Sequence, residues 1–539
     1  MSMITTSAWV RRGVAAQFPT KYEINEEEMN RISKLARMQL EDAREDLSAA
    51  QEQANGGSDA KNEDAMDEDV EEKGDKKGAE DKTEDDDLKE YNLDHYDSDE
   101  VDEDGEKITM FGNVKSLAYH QPNEEDPYLV VPEEEEDEER EELQILPTDN
   151  LLLAGKVEDE VAHLEVYVYE DAADNLYVHH DIMLPAIPLC SEWLDFPVGK
   201  SAEEGRTTGN FVAVGTMEAD IEVWDLDVVD SMYPDAILGQ GGADMDADVK
   251  KPKKKSKKTK ANDEYHVDSV LALAANRQHR NLLASGSADR TIKLWDLNTA
   301  KAAKSYSHHT DKVCSLDWHP KESTVLLSGS YDRTIVAADM RAPDAKARWG
   351  VDADVETVRW DIHDPNYFYV TTDAGMVYRY DVRNVPATPK DSKPVWTLQA
   401  HDSSVSSFDV NPAIPGFLVT GSTDKQVKLW NVENDKPSMV VSRKLEVGKV
   451  FSTNFAPDLE VGFRLAVAGS KGVVQIWDTS TNAAVRRAFV SRMPSLEGEV
   501  KERMVGMQPD QDESDDDDAG EPESGVAGGA DGWESMDED

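Results

Sequence analysis

Apolar and polar positions form two short runs across residues 281–297, which read NLLASGSADRTIKLWDL. The first run is apolar, the second alternates and ends in Trp295 and Asp296, and a cluster of Gly, Ser and Asp lies between them. Alternating runs on both sides of such a cluster are typical of two β-strands joined by a tight turn. The sequence therefore predicts a β-hairpin here.

The hairpin pattern recurs along the chain. Close copies lie at 325–339 (VLLSGSYDRTIVAAD) and 417–431 (FLVTGSTDKQVKLWN), and weaker copies lie at 150–169, 210–225, 367–381 and 464–478. The copies recur at intervals of 42 to 55 residues, with one longer interval of 71, and such recurrence is the mark of a repeat protein. The hairpins end near seven positions, which are Tyr169, Trp224, Trp295, Ala338, Tyr380, Trp430 and Trp477.

Polar residues keep fixed spacings within the close copies. His266, His309 and His401 each precede the end of their hairpin by 29 residues. In each copy a hydroxyl residue also precedes the turn aspartate by four positions: Ser285 with Asp289, Ser328 with Asp332, and Thr420 with Asp424. The repeat therefore includes a histidine segment before the hairpin as well as the hairpin itself.

These spacings resemble those of WD repeats, which form four-stranded blades of a β-propeller. The resemblance implies that histidine, hydroxyl, aspartate and tryptophan form a buried hydrogen-bonded tetrad in each complete copy. The implied tetrads are His266, Ser285, Asp289 and Trp295, and His401, Thr420, Asp424 and Trp430. Ala338 replaces the tryptophan in the copy that contains His309, so we expect that network to be incomplete.

We therefore predict an all-β chain, a seven-bladed WD-repeat β-propeller with an N-terminal helix and long acidic disordered segments. Eight blades would require Ile4 to Val10 and residues 117–131 to form a separate blade. We favour the alternative in which they supply strands to the first or last blade, which would close the ring and leave no exposed sheet edge.

Charge divides the rest of the chain. The formal net charge is −56, and it is concentrated in 59–107 with 24 acids and seven bases, in 133–142 with nine acids, and in 510–539 with fourteen acids and no base. Such segments repel themselves and contain few residues that could form a core, so we predict that they are disordered. They could attract basic proteins through long-range charge, or could serve solubility alone.

The predicted organisation follows from these boundaries. It comprises an N-terminal strand segment at 1–24, an amphipathic helix at 25–50, an acidic linker at 51–110, the propeller at 111–490, and an acidic tail at 491–539. The propeller contains the acidic loop 133–142 and a lysine-rich insertion at 240–262. The apolar stripe of the helix fits packing on its own protein or binding to a partner.

Eight lysines fall within eleven residues of the insertion. This tract matches a nuclear localisation signal, while nucleic-acid contact and an inert solubilising loop are the other interpretations. The lysines are Lys250, Lys251, Lys253, Lys254, Lys255, Lys257, Lys258 and Lys260.

Several irregular segments resemble the periodic tryptophan protein 1 family more specifically than the repeats do. They are SAWVRRGVA at 7–15, YNLDHYD at 91–97, LPTDNLLLAGKVEDEVAHLEVYVYE at 146–170, YVHHDIMLPAIPLCSEWLDF at 177–196 and GNFVAVGTMEADIEVWDLDVVDS at 209–231. Additional tryptophans at Trp9, Trp193, Trp318 and Trp360 lie near the ends of predicted inner strands, as the family name suggests.

The resemblance implies a nuclear and nucleolar ribosome-assembly factor that acts in large-subunit maturation and rRNA processing. It implies partners among the proteins of pre-ribosomal particles, with pre-rRNA as a further candidate. The alternative is a chromatin- or histone-binding propeller that regulates ribosomal DNA transcription.

Candidate chemistry changes this interpretation little. Two histidine pairs could suggest a metal or acid–base site: His179 with His180, and His308 with His309. Neither pair has a further cysteine, histidine or carboxylate at metal-ligand spacing. The sequence also contains no glycine loop with a lysine that could bind phosphate. We therefore expect no catalytic residue, metal, cofactor or small-molecule substrate. Cys190 and Cys314 are too few for a disulfide framework, which fits a reducing compartment, and no apolar run is long enough for a membrane span.

Basic residues follow the turn aspartate in the three close copies: Arg290, Arg333 and Lys425. Repeat geometry would place them at equivalent positions on one face, as a basic arc. They could pair locally with aspartate and water, or contact RNA phosphate or an acidic partner segment. Ser514 precedes four aspartates and is a candidate site for an acidophilic kinase.

Overall fold

The computed structural model describes residues 2–22, 24, 29, 32, 140–199, 206–240, 262–342, 346–489, 492 and 502–506. Except for Met29 and Ile32, the predicted helix at 25–50 lies outside the described residues. The linker at 51–110, the strand candidate at 117–131, the lysine tract and Ser514 also lie outside them.

Within the described ranges the strands form seven four-stranded antiparallel sheets, which are the blades of a seven-bladed β-propeller. The predicted fold class and the count of seven blades are confirmed. Blade 1 contains β1 (Ser2–Val10), β3 (Asn150–Glu158), β4 (Val161–Glu170) and β5 (Asn175–Leu184). Blade 2 contains β6 (Pro188–Leu194), β7 (Phe211–Thr216), β8 (Ile221–Asp225) and β10 (Ala236–Leu238).

Blades 3 to 6 take their four strands in chain order. Blade 3 contains β11 (Val270–Ala275), β12 (Leu282–Ser287), β13 (Ile292–Asp296) and β14 (Lys301–Tyr306). Blade 4 contains β15 (Val313–Trp318), β16 (Val325–Ser330), β17 (Thr334–Asp339) and β18 (Lys346–Gly350). Blade 5 contains β19 (Val355–Trp360), β20 (Tyr367–Thr372), β21 (Met376–Asp381) and β22 (Trp396–Gln399). Blade 6 contains β23 (Ser407–Val410), β24 (Phe417–Gly421), β25 (Gln426–Glu433) and β26 (Lys436–Lys444).

Blade 7 contains β27 (Val450–Phe455), β28 (Arg464–Gly469), β29 (Val474–Asp478) and β30 (Arg503–Gly506). A short helix, α1 (Ala483–Phe489), follows β29, and Val485 and Phe489 bury against blades 6 and 7. A two-residue strand β2 (Thr20–Lys21) pairs in parallel with β9 (Val228–Val229) and ties the N-terminal segment to blade 2.

The innermost strands contact one another around a central channel. Contacts run from β1 to β6, β11, β15, β19, β23 and β27, and then back to β1. Ring closure therefore depends on β1, which pairs with β3, a strand that begins only at Asn150, and packs on blade 7. The propeller thus includes Ser2–Val10, in agreement with the expectation that Ile4 to Val10 supply a strand to the first or last blade. It also includes Arg503–Gly506, which lies outside the limits 111–490 expected from the repeats because this strand is far from the hairpin that it completes.

Polar contacts reinforce the junction of blades 1 and 7. The hydroxyls of Ser7 and Ser452 lie 2.8 Å apart, and Arg464 Nε donates to Asp171 across 2.7 Å. Burial raises the pKa of Asp171, but the hydrogen bond and charge of Arg464 outweigh burial and leave this pKa below its ordinary value. Arg503 in β30 also donates to the carbonyl of Asp171, so the last blade is bonded to the first.

The recurring glycine of the hairpins marks the contact between blades. A Cβ at Gly286 in β12 would lie 2.8 Å from Val313, the first residue of the next inner strand. Gly329 meets Val355 in the same way, at 2.7 Å. Glycine at this position therefore allows the next blade to approach the second strand of the preceding one.

Candidate partner-binding surface

The propeller has two ends, which we name from the residues found there. The turn face carries the turns between the second and third strands, which contain Asp289, Asp332 and Asp424. The tryptophan face lies at the opposite end, where the inner strands finish near Trp9, Trp193, Trp318 and Trp360.

In blade 3 the four residues of the implied tetrad are joined in series. Trp295 Nε1 donates to Ser285 Oγ across 2.8 Å, and Ser285 Oγ lies 2.6 Å from His266 Nε2. His266 Nδ1 lies 2.9 Å from Asp289 Oδ2. Since the hydroxyl accepts from the indole, it is free to donate to Nε2, which assigns the proton of a neutral imidazole to Nδ1 and directs it at Asp289.

Burial determines the charges in this network. Desolvation lowers the pKa of His266, against the opposing effect of Asp289, so the imidazole is neutral near pH 7. Burial raises the pKa of Asp289, but the hydrogen bond from His266 and those from Thr291 outweigh it and set the pKa at about 2. The histidine and aspartate are thus engaged in holding a blade together and do not face a cavity.

Blade 6 contains the same four-residue network, and blade 4 contains the network without its tryptophan. In blade 6, Trp430 Nε1 donates to Thr420 Oγ1 across 2.9 Å, and His401 bridges Thr420 and Asp424 with distances of 2.8 Å on both sides. In blade 4, His309 lies 2.8 Å from Ser328 and 3.1 Å from Asp332, but Ala338 brings no indole. Tyr306 from blade 3 packs in the same core cluster as Ala338, and its hydroxyl donates to the carbonyl of Met340.

The other blades replace the tetrad with contacts that the repeat pattern did not indicate. In blade 5, Tyr380 stacks on Phe368 with ring centroids 5.4 Å apart. In blade 1 the strand pairing places Tyr167 opposite Leu152, the register position of tryptophan, and its hydroxyl donates to Glu165. Lys156 donates to the same carboxylate across 3.0 Å. Only the strand register, which the sequence does not fix, brings these residues together.

The additional tryptophans join neighbouring blades at the tryptophan face. Trp318 Nε1 donates to the carbonyl of Ala274 in the preceding blade across 2.9 Å, and Trp360 Nε1 donates to that of Asp317 across 3.2 Å. Trp9 donates to the carbonyl of Asn454 across 3.0 Å and so crosses the closure of the ring. Trp193 differs, because it donates to Asn210 within its own blade.

The central channel has a volume of about 350 Å³ and is lined by hydroxyls, apolar side chains and three charged groups, Glu192, Glu356 and Arg359. Two buried acids lie on the inner strands but do not line the channel: Asp317 accepts from the backbone of Trp360, and Asp409 accepts from that of Phe455, so each bonds to the next inner strand. Burial raises the pKa of both acids to about 6, against the lowering effect of Arg359. These acids thus serve packing between blades.

Among the described residues, no group of three or more His, Cys, Asp or Glu side chains could hold a metal ion. His179 and His180 lie with their Nδ1 atoms 2.8 Å apart, and His179 Nε2 contacts the carbonyl of Leu143. No helix among those described is long and apolar enough to cross a membrane.

Arg290, Arg333 and Lys425 all lie exposed in equivalent turns on the turn face. Their φ angles are 71°, 63° and 66°, in the left-handed region that favours glycine. The corresponding turns of blades 5 and 7 use Gly375 and Gly472. Arg333 pairs with Asp354 at 2.8 Å, but its side chain remains 58% exposed.

Comparison with known proteins shows similarity to a repeat family and to full-length relatives. Residues 259–296, 300–337 and 392–431 match the family described as WD domain, G-beta repeat. The chain is 50% identical over 521 residues to an uncharacterized WD repeat-containing protein of Schizosaccharomyces pombe, covering 96% of this chain and 97% of that protein.

Two further relatives share one name. Periodic tryptophan protein 1 of Saccharomyces cerevisiae is 37% identical over 544 residues, covering 93% of this chain and 92% of the yeast protein. The periodic tryptophan protein 1 homolog of Drosophila melanogaster is 30% identical over 382 residues, covering 70% of this chain and 77% of the fly protein. Each similarity extends well beyond the matched repeats.

Proposed function

Because the chain belongs to the periodic tryptophan protein 1 family, we propose that it is a non-enzymatic scaffold of ribosome biogenesis in the nucleus and nucleolus. In this role it assists assembly of the large-subunit pre-ribosome and processing of rRNA. The observation that carries the proposal is the 37% identity to the yeast member over 93% of the chain, which extends far beyond the three matched repeats. The rigid ring is suited to holding several partners in fixed relative positions.

Affinity purification of the tagged full chain, with and without RNase, tests this role. A pre-ribosomal scaffold should sediment with large-subunit precursors, lose part of its associated material on RNase treatment, and cause unprocessed precursor RNA to accumulate when depleted. Histone-tail binding that survives RNase, together with mapping to ribosomal DNA, would instead support the alternative of a chromatin-binding propeller. Normal processing after depletion would overturn the proposed role.

The lysine tract at 250–260 is proposed to direct the chain to the nucleus. Replacing its eight lysines by serine in a fluorescent fusion should shift the steady-state signal to the cytoplasm. Restoration of nuclear signal by an unrelated import sequence is the matched control, because it separates loss of import from loss of folding. Unchanged nuclear signal would contradict the assignment.

The basic arc of Arg290, Arg333 and Lys425 is proposed as a contact for anionic partners. In three blades a cationic residue occupies a left-handed backbone conformation that costs about 1 kcal/mol or more for residues with a Cβ. All three side chains are exposed, and Arg333 is held by a solvent-exposed ion pair with Asp354 and a 3.4 Å hydrogen bond to the carbonyl of Asp352, both of which are weak.

The variant R290E/R333E/K425E should reduce recruitment to pre-ribosomal particles several-fold while leaving the thermal melt unchanged, because exposed charges contribute little to stability. The matched control reverses three exposed lysines elsewhere, K321E/K390E/K436E. Co-sedimentation measures recruitment. Equal recruitment of the two variants would show that the basic arc is not a contact for anionic partners.

A further inference from the structure

A second basic surface lies on the turn face, over blades 6 and 7. It consists of four exposed lysines, Lys425, Lys444, Lys449 and Lys471, which we call the lysine patch. It shares only Lys425 with the basic arc. In a chain with a net charge of −56, a surface of this sign is unusual.

Backbone contacts hold the four lysines together. Lys444 ends β26 opposite Gln426, directly beside the turn that contains Lys425. That turn accepts a hydrogen bond from Val450 through the carbonyl of Ser422 at 3.2 Å, which places Lys449 next to it. Lys449 and Ser470 exchange hydrogen bonds of 2.9 Å, and Ser470 directly precedes Lys471.

Little opposite charge accompanies the patch. Among the described residues, Lys425, Lys444 and Lys449 form no ion pair, in contrast to Arg333 with Asp354. Asp424 is engaged by His401, and Glu446 is the exposed carboxylate in the same loop. Lys425, Lys444 and Lys449 therefore present positive charge outward, where an anionic chain could contact several ammonium groups at once.

The chain itself passes the patch on its way to the acidic tail. β30 runs toward the turn face and ends at Gly506, which pairs with Gln475 near the start of β29. The turn just before β29 contains Lys471 and Gly472. Only three residues separate Gly506 from Asp510, a distance of at most about 14 Å. Residues 510–539 then contain fourteen acids and no base.

We propose that the acidic tail 510–539 docks on the lysine patch and occupies the surface that an external polyanion would otherwise reach. Charge complementarity and the short connection favour this occupant, because a short tether gives an effective concentration on the order of millimolar. The interaction is electrostatic, so salt weakens it. A phosphate on Ser514 would strengthen it by adding negative charge to the tail. The inference does not depend on the role in ribosome biogenesis.

Lysine footprinting with an amine-reactive reagent and mass spectrometry tests the docking in the full chain. The comparison is a variant in which every Asp and Glu of 510–539 is replaced by Asn or Gln, which preserves the length of the tail. At low salt, reaction at Lys425, Lys444 and Lys449 should rise at least about threefold in the neutral-tail variant, because an effective concentration near millimolar favours the docked state in the native chain. Lys321 and Lys436 on the opposite side should be unaffected, and salt near 1 M should abolish the difference.

A labelled peptide of residues 510–539 provides a second measurement. It should bind the neutral-tail chain, and the further variant K444E/K449E/K471E should weaken binding at least about tenfold, as loss of several contacts to one polyanion implies. The control K321E/K390E/K436E should bind normally, and both variants can be checked for folding by thermal melt. Equal lysine reactivity with native and neutral tails would overturn the proposal. Protection that appears only on addition of single-stranded RNA would assign the patch to nucleic acid instead.

Discussion

At the scale of single residues, the hydroxyl in the second strand of a blade is the hydrogen-bond partner of the blade's buried histidine and, where present, of its tryptophan. Ser285 serves two buried groups, the indole of Trp295 and the imidazole of His266. Ser328 is the equivalent residue in blade 4 and serves the imidazole of His309, since Ala338 supplies no indole. The two positions differ in one buried donor, so they form a matched pair.

Ser285→Ala should therefore destabilise the protein more than Ser328→Ala. Leaving a buried polar group without its partner costs about 1–3 kcal/mol, so the expected losses are about 2–4 kcal/mol for S285A and about 1–3 kcal/mol for S328A. Denaturant midpoints of the two variants measure the difference. Equal midpoints would contradict the role of Ser285 as a shared partner.

Two carboxylates in different blades, Asp289 and Glu222, make the stability of the protein depend on pH in opposite directions. The pKa of Asp289 is about 2 in the folded protein, so its contribution to stability is present above pH 4 and is lost as the pH falls toward 2. Glu222 in blade 2 behaves in the opposite way. Burial raises its pKa to about 7, although Trp224 Nε1 donates to it across 3.2 Å.

Glu222→Gln should increase stability at neutral pH. The native carboxyl retains its proton in the folded state up to about pH 7 but loses it near pH 4.5 when unfolded, so its contribution declines as the pH rises between these values. E222Q should raise the free energy of unfolding by about 1–3 kcal/mol at pH 8 and change it little at pH 4. Melts across this range measure the effect, with the exposed Glu433→Gln as control. A gain of equal size at both pH values would show that ionisation is not the cause.

The polar network of blade 3 could be predicted because its four residues recur at fixed spacings in a known kind of repeat. The cluster of Lys156, Glu165 and Tyr167 could not, because it depends on the register of a longer hairpin in blade 1. Alternation of apolar residues specifies which side of a strand is buried, but not which residue lies opposite another.

At the scale of elements, the inner strands are connected through their tryptophans. Trp9, Trp318 and Trp360 each donate to a carbonyl in the blade before their own. The sequence placed these residues near the ends of inner strands, but it did not indicate where their indole groups bond. The connection requires the curvature of the ring, which brings the last residues of neighbouring strands within hydrogen-bonding distance.

Trp9→Phe should loosen the junction of blades 1 and 7 specifically. The change retains an aromatic ring but removes the hydrogen bond to Asn454, at a cost of about 0.5–1.5 kcal/mol plus the loss of packing. Hydrogen exchange should increase in β1 and β27 and remain unchanged in β15. Trp193→Phe is the matched control, since Trp193 bonds within blade 2. Equal exchange at the junction in both variants would contradict this role of Trp9.

At the scale of the whole molecule, the number of blades could be counted from the hairpins, and a contribution of Ile4 to Val10 to an end blade could be predicted, but the closing strand β30 could not. β1 and β30 contain no repeat signature, and their partners lie on elements far away in sequence or across a long connection. Both strands lie at the junction of blades 1 and 7, where Asp171 accepts hydrogen bonds from Arg464 and Arg503. Pairing over such distances is a property of tertiary packing, which local patterns do not encode.

This junction also affects when β1 can finish folding during synthesis of the chain. Ser7 meets Ser452 across 445 residues, so the side of β1 that packs on blade 7 has no partner until nearly the whole chain has been translated. At ~5–20 residues per second, that interval is roughly 20–90 s. During this interval the nascent chain carries an uncovered inner-strand surface, and a ribosome-associated chaperone that recognises extended apolar segments would find its binding site there.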